Sequence, residues 1–350
     1  MSNEIKIGKY VIGVNHPPFV IAEMSGNHNQ SLERALAIVD AAAATGAQAL
    51  KIQTYTPDTM TLDISKDEFF INDPGSLWKG KSLYNLYGEA MTPWEWHKPI
   101  KERCEQHGML FFSTPFDFTA VDFLEELGVD FYKIASFENI DTRLIEKVAK
   151  TGKPIIMSTG MASVSELAEA VDAAKKGGCK KLILLKCTSA YPSSPKDANL
   201  LTIPHLRKMF NVEIGLSDHT MGIGVAIAAV ALGATVIEKH FTLDRSEGGV
   251  DSAFSMEPGE FKLLVDESKK AWESLGRVSY ERSAQEEKSL VYRRSLYVAE
   301  DMKAGDIFNE TNLRSIRPGK GLPCKYFDNF IGKKIKTNAS KGTPLSWQLI

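Results

Sequence analysis

Two histidines, His219 and His240, are the residues of this sequence whose placement best suits metal binding. Each follows a short apolar, β-branched run, NVEIGLS or ATVIE, and the helix-like stretch MGIGVAIAAVALG lies between the two runs. This strand–helix–strand pattern puts one histidine at the carboxyl end of each strand, and such ends are neighbours in a parallel barrel. Two adjacent imidazoles, with the carboxylates of Asp218 and Glu238 close by, predict an open divalent-metal site. The alternative is a pair of unrelated buried or loop histidines.

Polar side chains recur at one end of nearly every predicted strand. The strands are predicted at residues 19–24, 49–54, 109–114, 131–136, 154–159, 182–187, 212–217 and 235–240. Besides the two histidines and their acidic neighbours, the side chains at these ends are Glu23, Lys51, Gln53, Ser113, Thr114, Lys133, Ser136, Ser158, Thr159, Lys186, Ser189 and Ser217. One lysine in an apolar strand is usually a snorkelling or paired residue. Several lysines directed into one cavity predict an anionic ligand, because an uncompensated buried ammonium group is costly.

These groups together describe a condensing or cleaving enzyme. Lysines and hydroxyls suit a small phosphorylated, carboxylated molecule, and a metal beside them can polarise a carbonyl oxygen. Glu23 is then a candidate base for a water or a proton. Two alternatives stay open. One is a Schiff-base aldolase or lyase that uses Lys133 or Lys186, and the other is a sugar-binding protein without turnover.

The order of the predicted elements determines the fold class. Amphipathic helical patterns such as LERALAIVDAAAATG and VSELAEAVDAAKKGG separate the eight strands. Eight βα units favour a closed (β/α)8 barrel of the TIM type over an open sheet, and we assign it to residues 1–275. Residues 276–290 are charged and polar and predict a linker, and residues 291–350 predict a small β-rich module.

The segment 55–91 interrupts this rhythm. It is far longer than an ordinary βα loop and is rich in Tyr, Trp, Asp and Asn. Long insertions in compact domains are usually functional, and aromatic faces beside Asn and Asp side chains suit a sugar. A lid that contacts a sugar is therefore predicted; a loop that merely packs on the barrel is the alternative.

Composition excludes several partners. Of the 350 residues, 43% are hydrophobic and 25% charged, and 42 basic against 44 acidic residues give a net charge of −2. Without a basic block, a nucleic-acid partner is not expected. Neither a membrane-spanning apolar stretch nor a signal-peptide core is recognised, so no membrane partner is expected. Four scattered cysteines predict a reducing, cytoplasmic location without disulfides.

Longer segments resemble the sialic acid synthase (NeuB-like) family. They are IAEMSGNHN, ALKIQTYTPDTMT, FFSTPFD, YKIASFE, PIIMSTGMAS, LLKCTSAYP, GLSDHT and IEKHFTLDRSEGGVDSAFSMEP. LWKGKSLYNLYGEAMTPWEWH and TYTPDTMT are more similar to the pseudaminic acid synthase branch than to the N-acetylneuraminate or legionaminate branches. The tail, with SIRPGKG, resembles the antifreeze-protein-like (SAF) domain of these enzymes. The resemblance covers essentially the whole chain.

The resemblance implies a reaction and a set of roles. Phosphoenolpyruvate condenses with 2,4-diacetamido-2,4,6-trideoxy-altrose and water, giving a nine-carbon 2-keto acid and phosphate. His219 and His240 hold Mn2+, or else Mg2+ or Co2+, and Glu23 orients or deprotonates the water. Phosphoenolpyruvate is bound by Lys51, Thr114, Lys133, Ser136, Ser158 and Ser217, and the sugar by Gln53, Tyr191 and Asp251.

The resemblance also implies a domain-swapped homodimer, in which Arg317 of the tail enters the partner's active site and donates to an acetamido carbonyl. Two positions depart from the family pattern. Ser189 stands where the neuraminate enzymes have an asparagine that contacts phosphate, so that contact is in doubt. Lys186 stands where some relatives have histidine, and it is either an anion contact or a packed stem.

Overall fold

A short antiparallel hairpin, β1 (Ile5–Ile7) and β2 (Tyr10–Ile12), precedes eight parallel strands that close into a barrel. The computed structural model describes residues 4–350. The barrel strands are β3 (Phe19–Glu23), β4 (Ala49–Thr54), β5 (Leu110–Pro115), β6 (Tyr132–Ile134), β7 (Ile155–Ser158), β8 (Leu182–Cys187), β9 (Glu213–Ser217) and β10 (Val236–His240). Each pairs with the next in the chain, and β10 pairs with β3 to close the barrel. The predicted (β/α)8 fold is confirmed.

At least one helix follows every barrel strand. The helices are α1 (Leu32–Ala44), α2 (Pro57–Met60), α3 (Leu83–Ala90), α4 (His97–Gln106), α5 (Phe118–Leu127), α6 (Thr142–Ala149), α7 (Val164–Lys176), α8 (Thr202–Phe210), α9 (Gly224–Ala231) and α10 (Pro258–Leu275). Several begin at side-chain caps: the Ser163 hydroxyl accepts from the Glu166 backbone N–H at the start of α7. Such caps satisfy backbone donors that have no partner within the helix.

Side-chain alternation along the strands positions the functional groups. A strand sends successive side chains to opposite faces, so residues two apart share the barrel interior. At the amino-terminal half, these inward residues form an apolar cluster with Ile5, Ile7 and Ile12 of the hairpin; its strand members include Phe19, Ile21, Ala49, Phe112, Phe131, Ile156, Ile183, Leu185 and Val236. The same inward rows end in polar residues, as in Ile21 then Glu23, or Val236 then Glu238. The carboxyl end of the barrel is therefore polar inside.

Gly215 permits the close approach of strands β8, β9 and β10. A Cβ at this position would lie 2.4 Å from the Val236 carbonyl oxygen and 2.7 Å from a Leu185 methyl carbon. Both distances are shorter than real side chains tolerate, so β9 needs glycine here to keep its register with β10.

The insertion 55–91 has more structure than the sequence indicated. It contains α2 and α3, and between them a loop closed by the backbone bond from the Ile71 N–H to the Lys81 oxygen, 2.9 Å. The carboxyl-terminal end of the insertion is tied to the barrel loop, because the Gln30 side chain donates to the Glu89 and Met91 oxygens at 2.9 and 2.8 Å. The insertion is therefore a folded part of the barrel domain.

The chain divides into two compact units, Met1–Gly276 and Arg277–Ile350. The second contains α11 (Ala284–Ser289), the antiparallel pair β11 (Ser295–Val298) and β12 (Leu313–Ile316), and α12 (Phe327–Phe330). Leu296, Phe308 and Phe330 lie in its own apolar core. Within residues 4–350, no helix combines the length and the apolarity that crossing a bilayer requires.

Candidate active site

A cavity of about 450 Å³ lies at the carboxyl ends of the barrel strands. Ten of the thirteen residues predicted for the site line it: Lys51, Gln53, Lys133, Ser136, Ser158, Tyr191, Ser217, His219, His240 and Asp251. Residues from β4, β6, β7, β9 and β10 thus meet in one space, as the strand-end pattern predicted.

Two lysines and two glutamates form a buried ionic cluster in the floor of this cavity. The Lys51 ammonium group lies 3.3 Å from Glu23 Oε2 and 3.0 Å from Glu238 Oε1. Lys133 approaches Glu238 Oε1 from the other side at 3.4 Å. Glu238 Oε2 has no hydrogen-bond partner among the described residues. Charges this deeply buried must be paired, and the cluster still keeps one carboxylate oxygen available for a ligand or water.

The two glutamates of this cluster differ in their pKa values. Burial raises the pKa of Glu23 to about 7, although Lys51 opposes the change. Burial alone would also raise the pKa of Glu238, but Lys133 and Lys51 together lower it to about 2. Glu238 is therefore a permanent anion at neutral pH, whereas Glu23 exchanges a proton there. When the pKa values of two neighbouring carboxyl groups differ in this way, the group that titrates near neutral pH is the candidate acid or base.

The histidine rings lie side by side, with 5.4 Å between their centroids. His219 Nδ1 is 3.0 Å from the Thr188 carbonyl oxygen. Because a carbonyl only accepts, Nδ1 carries the hydrogen. Burial alone would lower the pKa of His219, but a hydrogen bond with Cys187 raises it. His240 Nδ1 is buried and has no hydrogen-bond partner in the described chain. Burial also holds the pKa of His240 well below its usual range.

Imidazole nitrogens are common ligands of divalent metals, and His240 Nδ1 has no hydrogen-bond partner in the described chain. Within residues 4–350 no group of three or more His, Cys, Asp or Glu side chains is arranged as a metal site. His219 and His240 are the residues predicted to hold a metal ion in this cavity.

Asp218 does not take part in this site, contrary to the sequence interpretation. Its carboxylate accepts from the buried Lys239 ammonium group at 2.8 Å, and Lys239 also donates to the Thr220 carbonyl at 2.6 Å. The reason is strand alternation: Ser217 and Glu238 face the cavity, so the next residue of each strand, Asp218 and Lys239, faces away from it. The outward ion pair fastens the loop that carries His219.

A second hydrogen-bonded group connects Glu23 to Asp251, one of the residues predicted to bind the sugar. Gln53 Nε2 donates to Glu23 Oε1 at 3.3 Å and to Ser25 Oγ at 3.0 Å. The Ser25 hydroxyl donates to the Asp251 carboxylate. Ser25 has φ +46°, a left-handed conformation that non-glycine residues adopt only when their surroundings enforce it. In this conformation the Ser25 hydroxyl lies between Gln53 and Asp251.

Hydroxyl groups cluster beside Lys133. Ser189 Oγ donates to Ser136 Oγ at 2.8 Å, and Ser158 Oγ is buried without a partner in the described residues. Gly160 makes this approach possible: it has φ +48°, and a Cβ there would lie 2.3 Å from Ser136 Cβ. An ammonium group with several hydroxyls is suited to phosphate or carboxylate.

Three predicted residues lie elsewhere. Glu23 belongs to the ionic cluster without lining the cavity, and Thr114 is buried, with a hydroxyl that has no partner among the described residues. Arg317 is an exposed residue of the second unit, just after β12. Lys186 does not line the cavity either; its ammonium group donates to the Cys187 carbonyl at 3.1 Å and to Thr188 Oγ1 at 3.0 Å.

The cavity residues that were not predicted as site residues include Ser25, Glu138 and Cys187. Burial raises the pKa of Glu138 to about 7, and its Oε2 has no partner in the described chain. Burial alone would raise the pKa of the Cys187 thiol, but a hydrogen bond with His219 lowers it to about 7. Strand alternation was a signal for Cys187, which shares the inward row of Leu185. Glu138 follows its strand by four residues, where alternation no longer applies.

The barrel and the ionised groups at its carboxyl end define an enzyme that acts on an anionic substrate. A profile of the NeuB family matches residues 38–280, and a profile of the SAF domain matches residues 293–350. The chain belongs to the NeuB family, and the family predicted from its motifs is confirmed.

Three comparisons describe its relatives. The chain is 46% identical to pseudaminic acid synthase of Campylobacter jejuni over 327 residues, which cover 93% of this chain and 95% of the relative. It is 36% identical to N,N'-diacetyllegionaminic acid synthase of Campylobacter jejuni, with 91% and 96% covered. The crystal structure of N-acetylneuraminic acid synthetase from Leptospira borgpetersenii aligns with a TM-score of 0.74 at 38% identity, covering 84% of this chain and 97% of that chain.

Proposed function

We propose that this protein is a pseudaminic acid synthase. It condenses phosphoenolpyruvate with 2,4-diacetamido-2,4,6-trideoxy-altrose and water, giving pseudaminic acid and phosphate. The observation that carries the proposal is the cavity in which the ionic cluster, the hydroxyl cluster and the histidine pair meet. The higher identity to pseudaminic acid synthase than to the legionaminic acid enzyme supports the choice of sugar.

Phosphoenolpyruvate occupies the lysine and hydroxyl side of the cavity. Lys51 and Lys133 face its negative charge, and the hydroxyls of Ser136, Ser158 and Ser217 donate to its oxygens. The Ser217 hydroxyl donates to Glu238 Oε1 at 3.2 Å in the structure. When phosphoenolpyruvate binds, this hydroxyl and the two ammonium groups donate to the ligand. Thr114 stays a predicted contact of the same ligand.

The sugar aldehyde lies at the histidines, with Gln53, Tyr191 and Asp251 along the sugar. His219 and His240 would hold Mn2+, which acts as a Lewis acid on the aldehyde oxygen. Carbon 3 of phosphoenolpyruvate attacks the aldehyde carbon, and the new carbon–carbon bond leaves positive charge at carbon 2. Water adds at carbon 2, and Glu23 accepts its proton, since this carboxylate exchanges a proton near neutral pH. The carbon–oxygen bond to phosphate then breaks.

A Schiff-base aldolase remains the enzymatic alternative for one reason. Burial lowers the pKa of Lys133, and a lowered pKa is what an imine-forming lysine needs. The 3.4 Å pairing with Glu238 opposes this role, because it holds the ammonium form. Lys186 is not a candidate, since it does not reach the cavity.

A panel assay tests the proposed function. Phosphate release from phosphoenolpyruvate is measured with the altrose derivative, its legionaminate-type isomer and N-acetylmannosamine. We expect the altrose derivative to give the highest kcat/KM, EDTA to abolish release, and Mn2+ to restore it. Release that is highest with another sugar would reassign the product. Trapping of a pyruvate adduct by borohydride would indicate the Schiff-base enzyme, and no release with any sugar would indicate a binding protein.

The enzyme acts as a domain-swapped homodimer in the same proposal, and Arg317 donates to an acetamido carbonyl of the sugar in the partner's site. Large apolar side chains on the loop after β6, on the loop after β7 and at the start of α7 support a dimer: Phe137, Ile140, Met161 and Val164 are 56–63% exposed. Four free cysteines support a reducing, cytoplasmic location.

Arg317→Ala is expected to raise the KM for the sugar by about 10- to 100-fold, because a hydrogen bond from a charged donor is lost. The KM for phosphoenolpyruvate is expected to stay within about twofold. Arg314→Ala, at an exposed arginine of the same unit, is the matched control, and light scattering measures the mass of each variant. Equal changes in both KM values, or a monomeric wild type, would contradict the swapped arrangement.

A further inference from the structure

The cavity has two chemically different sides. The strand ends supply its charged floor, whereas the insertion 55–91 supplies a wall of apolar and aromatic side chains. The main members of this apolar wall are Met60, Ile71, Trp78, Leu83, Leu86 and Tyr87. The insertion also carries nine charged residues, and none of these side chains, all in the described part of the chain, lines the cavity. The insertion thus turns its apolar side to the ligand and its charges away.

The apolar wall is held in place before any ligand binds. Trp78 Nε1 donates to the Val250 carbonyl at 2.9 Å, which occupies the polar atom of its ring. Gly26 lies against the end of α3, where a Cβ would be 3.2 Å from Ala90 Cα, so the barrel loop and the insertion are in close contact. Because this surface is already ordered, ligand binding does not have to spend free energy on ordering it.

The apolar wall is connected to the two histidines by the ring of Tyr191. The Tyr191 ring is 4.4 Å from the His219 ring on one side and 6.3 Å from the Trp78 ring on the other. Tyr191 therefore connects the histidines to the apolar wall. In the proposed arrangement, a sugar with its carbonyl at the histidines extends along Tyr191, and its end remote from the aldehyde reaches the wall.

We propose that the apolar wall selects acceptor sugars that end in a methyl group over those that end in a hydroxymethyl group. Ile71 and Leu83, half-buried residues at the cavity surface, are its specificity-determining members. Burial of a methyl group against such side chains is favourable. A hydroxyl group in the same place would lose its hydrogen bonds to water and find no replacement partner, which is unfavourable. The inference rests on the proposed function and assigns the choice of a deoxy sugar to particular residues.

The test uses two N-acetylated acceptors that are identical except for a methyl or a hydroxymethyl group at the end remote from the aldehyde. Phosphate release gives kcat/KM for each acceptor with the wild type, Leu83→Asn and Ile71→Asn. We expect the wild type to prefer the methyl sugar by about 10- to 100-fold. Each variant should reduce that preference by about tenfold, with the KM for phosphoenolpyruvate unchanged.

Leu62→Asn is the matched control, because Leu62 lies in the same insertion, is 61% exposed and does not line the cavity. Its preference should equal that of the wild type. Two variants are used so that a failure of one to fold, seen by thermal unfolding, leaves the other to decide. Equal kcat/KM of the wild type for both sugars, or variants that slow both sugars alike, would overturn the inference while phosphate release still supports the proposed function. No release with either sugar would refute the function and the inference together.

Discussion

Glu23→Gln is expected to lower kcat by about 10²- to 10⁴-fold, the usual contribution of a general base. Glutamine keeps the hydrogen-bonding shape towards Gln53 and Lys51 but cannot accept a proton. The pH profile gives a second readout. Because burial raises the pKa of Glu23 to about 7, and only the ionised carboxylate accepts a proton, wild-type kcat/KM should rise as the pH increases through about 7. In Glu23→Gln this rising limb should be absent.

Glu138→Gln is the matched control for the pH profile. Glu138 is another carboxyl group of the same cavity, and burial raises its pKa to about 7 as well. We expect Glu138→Gln to keep the rising limb. If Glu138→Gln loses that limb while Glu23→Gln keeps it, with kcat within about tenfold of the wild type, the base assignment belongs to Glu138.

His219→Ala and His240→Ala should each lower kcat by roughly 10³-fold or more, since a Lewis acid contributes several kcal/mol to the transition state. Both rings line the same cavity. Loss of one ring would remove half of the proposed protein ligands. Phosphate release is measured after EDTA treatment and titration with Mn2+, and the metal content of each purified variant gives a readout that does not depend on turnover.

His205→Ala controls for the substitution itself, because His205 is an exposed residue of α8 remote in sequence from the cavity residues. It should match the wild type in kcat and metal content. Thermal unfolding of the two active-site variants should stay close to that of the wild type, as both rings lie at the mouth of the barrel. Near-normal rates in both variants, with metal content unchanged, would contradict the metal assignment.

The main features of the fold could be predicted because short β-branched runs and amphipathic stretches alternate along the chain. All eight strands overlap the predicted runs, and helices lie between them as the amphipathic patterns predicted. The site was largely predictable for the same reason: in a parallel barrel, carboxyl ends of strands meet at one face. Asp218 was misread as part of the metal site, and Lys186 was left between an anion contact and a packed stem. In both cases a strand end was treated as one position, although neighbouring residues there face opposite sides.

The sequence by itself determined which polar side chains would converge, since side-chain alternation and strand order follow from local pattern. Only the tertiary structure decided what each of them does chemically. Glu23 and Glu238 are both glutamates at strand ends, yet one titrates near pH 7 and the other stays ionised. That difference arises from buried lysines only a few ångströms away, and such distances exist only once the barrel has closed. The apolar wall also depends on the tertiary structure, because the folding of the long insertion over the cavity determines which of its residues line the cavity.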